Sequence, residues 1–198
     1  MENIEIQGMS RGAFLVRGAL ATGAAYGAAS VTPWVTSALA QEGGGDVEIL
    51  NFALTLEFLE ADFYRQAQKL GLKGEYKSLA EEFGANEQAH VDALKDTIGQ
   101  LGGKPVKSPE FAFGLKSQKD FEKLAVTLED TGVSAYNGAA PMIKSTEVLA
   151  AAGSIVQVEA RHAAALRFLG GMKPTKGPFD MPLGQAAVLK AVKPLIKA

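Results

Sequence analysis

Only two histidines occur in the chain, and each closes a Glu-x-x-His tetrad: Glu87-Gln88-Ala89-His90 and, 72 residues on, Glu159-Ala160-Arg161-His162. The same offset carries Thr55-Leu56-Glu57 onto Thr127-Leu128-Glu129, and Tyr64 onto Tyr136. Each half therefore reads Thr-Leu-Glu, a Tyr seven residues after that Glu, and a Glu-x-x-His thirty residues after it. Residues three apart share one face of a helix. A duplicated helical hairpin around one shared site accounts for all of these correspondences together.

The hydrophobic pattern supports helices throughout. After Gly43-Gly44-Gly45, Asp46 reads as an N-cap with Glu48 in the first turn. Ile49, Phe52, Ala53, Leu56, Leu59 and Phe63 then recur at helical spacing up to Gly71, predicting a first helix over about 46–70. Glu60 falls about 40° from Leu56 on that wheel, inside the apolar stripe, where a carboxylate needs a partner. A second helix is predicted over about 75–101, stopped by Gly102-Gly103 and Pro105. Residues 104–116 read as an extended crossover. Ser117, with Asp120 three residues later, opens a third helix over about 118–138, closed by Gly138 and Pro141. A fourth runs over about 145–169, to Gly170-Gly171, and a short amphipathic segment covers Ala186 to Val192. The expected fold is all-α: an antiparallel four-helix bundle with a long connection between its second and third helices, plus a short C-terminal helix.

Absences narrow the function. The chain has no cysteine, which excludes disulfides, thiolate metal sites, Cys-attached haem, a lipoprotein anchor and a Cys nucleophile. The formal net charge is −2 and the lysines are scattered, so no nucleic-acid footprint is present. Residues 13–31 are small and apolar, follow Arg11 and lead to Ala38-Leu39-Ala40, an A-x-A cleavage pattern. The expected division is an export signal over 1–40, a bundle over 41–171 and a tail over 172–198. Cleavage leaves no stable membrane anchor, and Arg17 makes the run a weak transmembrane helix; an uncleaved N-terminal anchor stays open. Ser10-Arg11-Gly12-Ala13-Phe14-Leu15 resembles a twin-arginine export signal, with Gly12 where the second Arg stands. Export to a bacterial periplasm or beyond is the expected location.

In such a bundle the two tetrads each aim two ligands inward, and Glu57 and Glu129 add one each from the other two helices. Four carboxylates balance two divalent cations while neutral imidazoles leave the charge unchanged, so the buried site comes out near neutral. Oxygen-rich ligation with some imidazole suits iron or manganese better than zinc. Tyr64 and Tyr136 read either as hydrogen-bond donors beside this site or as core aromatics. Glu60 reads either as a further carboxylate near the metals or as a salt-bridged helix residue; its repeat counterpart is Gly132, which leaves space opposite it. Arg65 and Arg161 are expected to pair with acids on neighbouring helices.

This constellation resembles the ferritin-like di-iron or di-manganese carboxylate superfamily, which includes bacterioferritins, rubrerythrins and manganese catalases. Within it the chain is most similar to exported ferritin-like domain proteins of the desiccation-related type. The resemblance covers about residues 46–170, with all six ligand positions filled. It implies two Fe (or Mn) ions per chain: Glu57, Glu87 and His90 on one, Glu129, Glu159 and His162 on the other, with Glu87 and Glu159 as bridges. Tyr64 matches the tyrosine such proteins place beside the site. The implied activity is that of a ferroxidase, or of a peroxidase or manganese catalase, in protection against oxidative or desiccation stress. Its partners would be metal ions, O2 or H2O2 and, for peroxide reduction, an external electron donor, because a chain without Cys carries no rubredoxin module. A homo-oligomer is compatible with the family. Two other readings stay open: metal binding or storage without turnover, and a structural stress-protective bundle that metals merely stabilise.

Overall fold

The computed structural model describes residues 45–197; the expected export signal over 1–40 lies outside the described residues. Among the described residues five helices follow in order: α1 Asp46–Ala67, α2 Glu75–Gln100, α3 Gln118–Ala139, α4 Thr146–Leu169 and α5 Gln185–Val192. Single 3-10 turns extend α1 (Gln68–Leu70), α3 (Ala140–Met142) and α5 (Lys193–Leu195). Among the described residues no strand forms, and no helix is long and apolar enough to cross a membrane.

The helix ends follow local chemistry. Gly71 takes the left-handed conformation (φ 66°) that stops the first helix. Gly102 (φ 73°) does the same for α2, and the Gly103 N–H returns to the Ile98 carbonyl at 2.9 Å. Ser117 Oγ accepts from the Asp120 N–H at 3.3 Å, capping α3. At the start of α1 the structure departs from expectation. Gly45 is the N-cap, and Asp46 is the first helical residue. The Asp46 carboxylate accepts the N–H groups of Lys144 and Ser145 at 2.8 and 2.7 Å, tying α1 to the turn before α4. Two otherwise unpaired loop donors are a better match for an ionised carboxylate than its own helix end.

α1 pairs with α2 and α3 with α4, and the hairpins join through α1–α3 and α2–α4 contacts. The 101–117 crossover thus links the diagonal pair α2 and α3, as a four-helix bundle with one long connection requires. Asn51 holds its first part, donating to the Lys104 carbonyl and accepting from the Val106 N–H. Phe111 and Phe113 hold the rest by burial. Two apolar clusters fill the bundle. One gathers Phe63, Phe83 and Phe121 with Tyr64; the other gathers Leu50, Leu54, Val91 and Ile98 with Tyr136.

The segment after α4 is a strap rather than a loose tail. Lys176 reaches Asp130 at 2.5 Å, and the Leu183 N–H donates to the Ser134 carbonyl at 2.9 Å. A Cβ on Gly138 would collide with the Leu183 backbone. Asp130, Ser134 and Gly138 are spaced four apart, so the strap follows one line along α3. Gly138 therefore does not close α3, which continues to Ala139; it makes room for the strap. Beyond it, α5 inserts Val188, Leu189 and Val192 into the first cluster. The chain then pairs with the crossover through Phe111 and Ile196 and the Leu195 carbonyl, which accepts the Ala112 N–H at 2.8 Å.

Candidate metal centre

All four helices bring acids to the middle of the bundle. Glu57 (α1), Glu87 (α2), Glu129 (α3) and Glu159 (α4) are each 0% exposed. His90 Nδ1 lies 2.9 Å from Glu87, 3.2 Å from Glu57 and 3.1 Å from Glu159. His162 Nδ1 lies 2.9 Å from Glu87 and 3.3 Å from Glu129. Two groups result: Glu57, Glu87, His90 and Glu159, and Glu87, Glu129, Glu159 and His162, with candidate ligand atoms within 4.8 Å of one another in each. Glu87 and Glu159 belong to both.

Buried polar atoms are normally paired. Here five carboxylate oxygens, on Glu60, Glu87, Glu129 and Glu159, and the Nδ1 of His162 are buried without a hydrogen bond. His162 Nδ1 is within 3 Å of Glu87 yet not aligned to bond with it. Atoms that converge without facing one another are facing a common point. Lone pairs on carboxylate and imidazole directed at one point are the donor set of a hard or borderline divalent cation, and this buried cluster can bind metal ions.

Without a cation, protons would have to offset the charge. Burial raises the Glu57 pKa to about 7, against the lowering effect of the His90 hydrogen bond. Burial likewise raises Glu129 and Glu60 well above the usual carboxylate range. Burial alone would lower the histidines, but the surrounding carboxylates prevail and push His90 up to about 12 and His162 up to about 10.

The tyrosines cross between halves. Tyr64 on α1 donates to Glu129 Oε1 on α3, and Tyr136 on α3 donates to Glu57 Oε1 on α1 at 2.5 Å. Both phenols are buried, and burial raises their pKa values well above normal, so they act as donors. Each occupies one carboxylate oxygen; the second oxygen of Glu129 has no hydrogen bond, and that of Glu57 lies 3.2 Å from His90 Nδ1. Glu60 joins neither group. It is buried with no cation beside it, so the salt-bridged alternative does not hold among the described residues. It faces the centre over Gly132, where a Cβ would stand 3.2 Å from Glu60 Oε1 and 3.3 Å from Glu159 Oε2. Arg65 and Arg161 do not bridge helices: Arg65 pairs with Asp62 and Arg161 donates to the Gln157 carbonyl, each on its own helix. An acceptor about one turn away on the same helix, a carboxylate for Arg65 and a backbone carbonyl for Arg161, satisfies each first.

Two residues at the site escaped the sequence reading. The Phe83 ring stacks on His162 with centroids 3.8 Å apart, and the Asn86 side-chain amide lies 3.1 Å from His162 Nε2. Their only signal was position, since Phe83, Asn86, Glu87 and His90 share one face of α2.

A family model described as a ferritin-like domain matches residues 45–171. A solved structure of a conserved hypothetical protein from Mycobacterium tuberculosis is 18% identical, with a TM-score of 0.59; the match covers 65% of this chain and 98% of that one. A two-domain protein from Anabaena variabilis, containing DJ-1/ThiJ/PfpI-like and ferritin-like domains, is 22% identical, with a TM-score of 0.57. That match covers 84% of this chain and 52% of the other, so this chain accounts for about half of it. These likenesses are of fold. No curated protein matches the chain.

Proposed function

The chain belongs to the ferritin-like domain family, and from that membership we propose that it is an exported dinuclear-metal redox protein. It would oxidise Fe(II) with O2 or peroxide, or consume peroxide, as protection against oxidative or desiccation stress. The observation that carries this reading is the convergence of Glu57, Glu87, His90, Glu129, Glu159 and His162 from four helices, with oxygens of Glu87, Glu129 and Glu159 and the His162 Nδ1 buried without a hydrogen bond. Glu57, Glu87 and His90 would hold one ion, Glu129, Glu159 and His162 the other, and Glu87 and Glu159, common to both groups, would bridge. When bound, a redox-active pair such as iron or manganese supplies the electrons for reducing O2 or peroxide. The chain's own residues do the rest. Tyr64 and Tyr136 hold Glu129 and Glu57 in one orientation, and the two apolar clusters exclude bulk water. Glu60 places an unpartnered buried carboxylate beside the centre, able to hold a proton or to reach a metal. Export rests on residues 10–40 of the sequence. An external donor is needed for peroxide reduction, not for dismutation.

Metal analysis of the purified protein beside Glu87→Ala and Glu159→Ala tests the reading. About two iron or manganese ions per chain are expected, lost in both variants. A protein that stays metal-free and takes up no Fe(II) anaerobically would sink it. Full loading with no O2 or peroxide consumption would leave storage or binding as the function.

A further inference from the structure

The ligands obey the 72-residue repeat, but what surrounds them does not. His162 is clamped by two α2 side chains, the Phe83 ring at 3.8 Å and the Asn86 amide at 3.1 Å. The repeat partners of these residues are Ile155 and Val158, and neither side chain can stack as an aromatic or form a hydrogen bond. The His162 side chain is 3% exposed, against 12% for His90. We infer that Asn86 is a positioning residue that fixes the His162 ring with Nδ1 inward, making the His162 half the tighter of two unequal metal positions.

This inference rests on the metal-binding reading above. A metal ion on Nδ1 leaves the hydrogen of a neutral imidazole on Nε2. Nε2 then donates, and Asn86 must accept through Oδ1. In the structure Nδ2 is the atom nearest the ring, so a half-turn of the amide, which swaps two groups of nearly equal size, completes the match. A hydrogen-bond partner on the distal nitrogen fixes the tautomer and ring angle and raises ligand basicity, and losing one typically costs about 10- to 100-fold in metal affinity.

The test is a calorimetric titration of the metal-stripped full chain with Mn(II), paired with anomalous scattering from crystals grown at one equivalent. Wild type should bind in two steps, the first equivalent lying on the His162 side. Asn86→Val, which copies the repeat partner Val158, should weaken that first step by about tenfold or more and spare the second. Asn86→Asp, which can still accept from Nε2, should restore it. Asn86 is only half-buried, so metal-free melting should be the same in all three. Two identical steps in wild type, or an unchanged first step in Asn86→Val, would overturn the inference while leaving the metal centre standing. Equal weakness in Asn86→Val and Asn86→Asp would overturn it too, by reducing Asn86 to packing. A wild type that takes up no Mn(II) at either position would instead fail the underlying reading.

Discussion

At the scale of single residues, the site is built from pairs whose members differ in what they lean on. Removing the phenol of Tyr64 or Tyr136 leaves one buried oxygen of Glu129 or Glu57 without its donor. Tyr64→Phe and Tyr136→Phe should each cost about 1–3 kcal/mol in urea denaturation of the metal-free protein. Similar losses are expected because the two tyrosines are repeat partners and each phenol donates to the buried Glu of the opposite half. A loss confined to one would mean that the repeat does not extend to the hydrogen bonds. Gly132 makes a sharper case. A methyl group there meets Glu60 and Glu159 at once, and Glu159 belongs to both candidate ligand groups. Gly132→Ala should lower Mn(II) affinity about tenfold, the scale of a disturbed ligand environment. Adding Glu60→Ala should recover most of that loss by clearing the space. If the double variant binds no better than Gly132→Ala, the crowding acts on Glu159 alone.

At the scale of elements, the bundle is closed by a segment that follows it in the chain. The strap runs along α3 from Asp130 to Gly138, and α5 then buries Val188, Leu189 and Val192 between α3 and the crossover. Leu189 is 3% exposed, so Leu189→Ala should cost about 2–5 kcal/mol in chemical denaturation. An effect below about 1 kcal/mol would show that the segment merely rests on the surface. Metal content should be unaffected in the folded variant, because α5 contributes none of the residues around the centre.

For the whole molecule, the centre couples folding to pH and to metal. In the metal-free protein Glu57 is raised from 4.5 to about 7, and burial also holds Glu60 and Glu129 well above the usual range. A raised pKa means that the folded state holds its proton more tightly than the unfolded chain does. That stabilisation is complete below about pH 4.5 and is lost as pH rises through about 7 for Glu57. The histidines act in the same direction: their contribution is complete below 6.5 and fades as pH climbs towards about 10 for His162 and about 12 for His90. Metal has to displace these protons, so its affinity, and the stability it adds, rise with pH. Melting scans from pH 5 to 8 should show metal-free Tm falling and the gap between loaded and metal-free protein widening. A metal-free Tm that rises over this range would contradict the assignment of protons to the buried acids.

How much of this the chain announced in advance divides by the range of the interactions. The four helices were legible, nearly to the residue, because apolar spacing and Gly or Ser punctuation act within a few residues of one another. The convergence of Glu57, Glu87, His90, Glu129, Glu159 and His162 was legible because a repeat forces related residues into related places. The strap, the place of Gly138 beneath it and the bond of Asp46 to the turn before α4 were not, since each depends on which distant surfaces meet. The contrast of Asn86 with Val158, and the isolation of Glu60 over Gly132, also emerge only once four helices are packed. A repeat encodes what two halves share. Where they differ, the meaning comes from the neighbours that tertiary packing supplies.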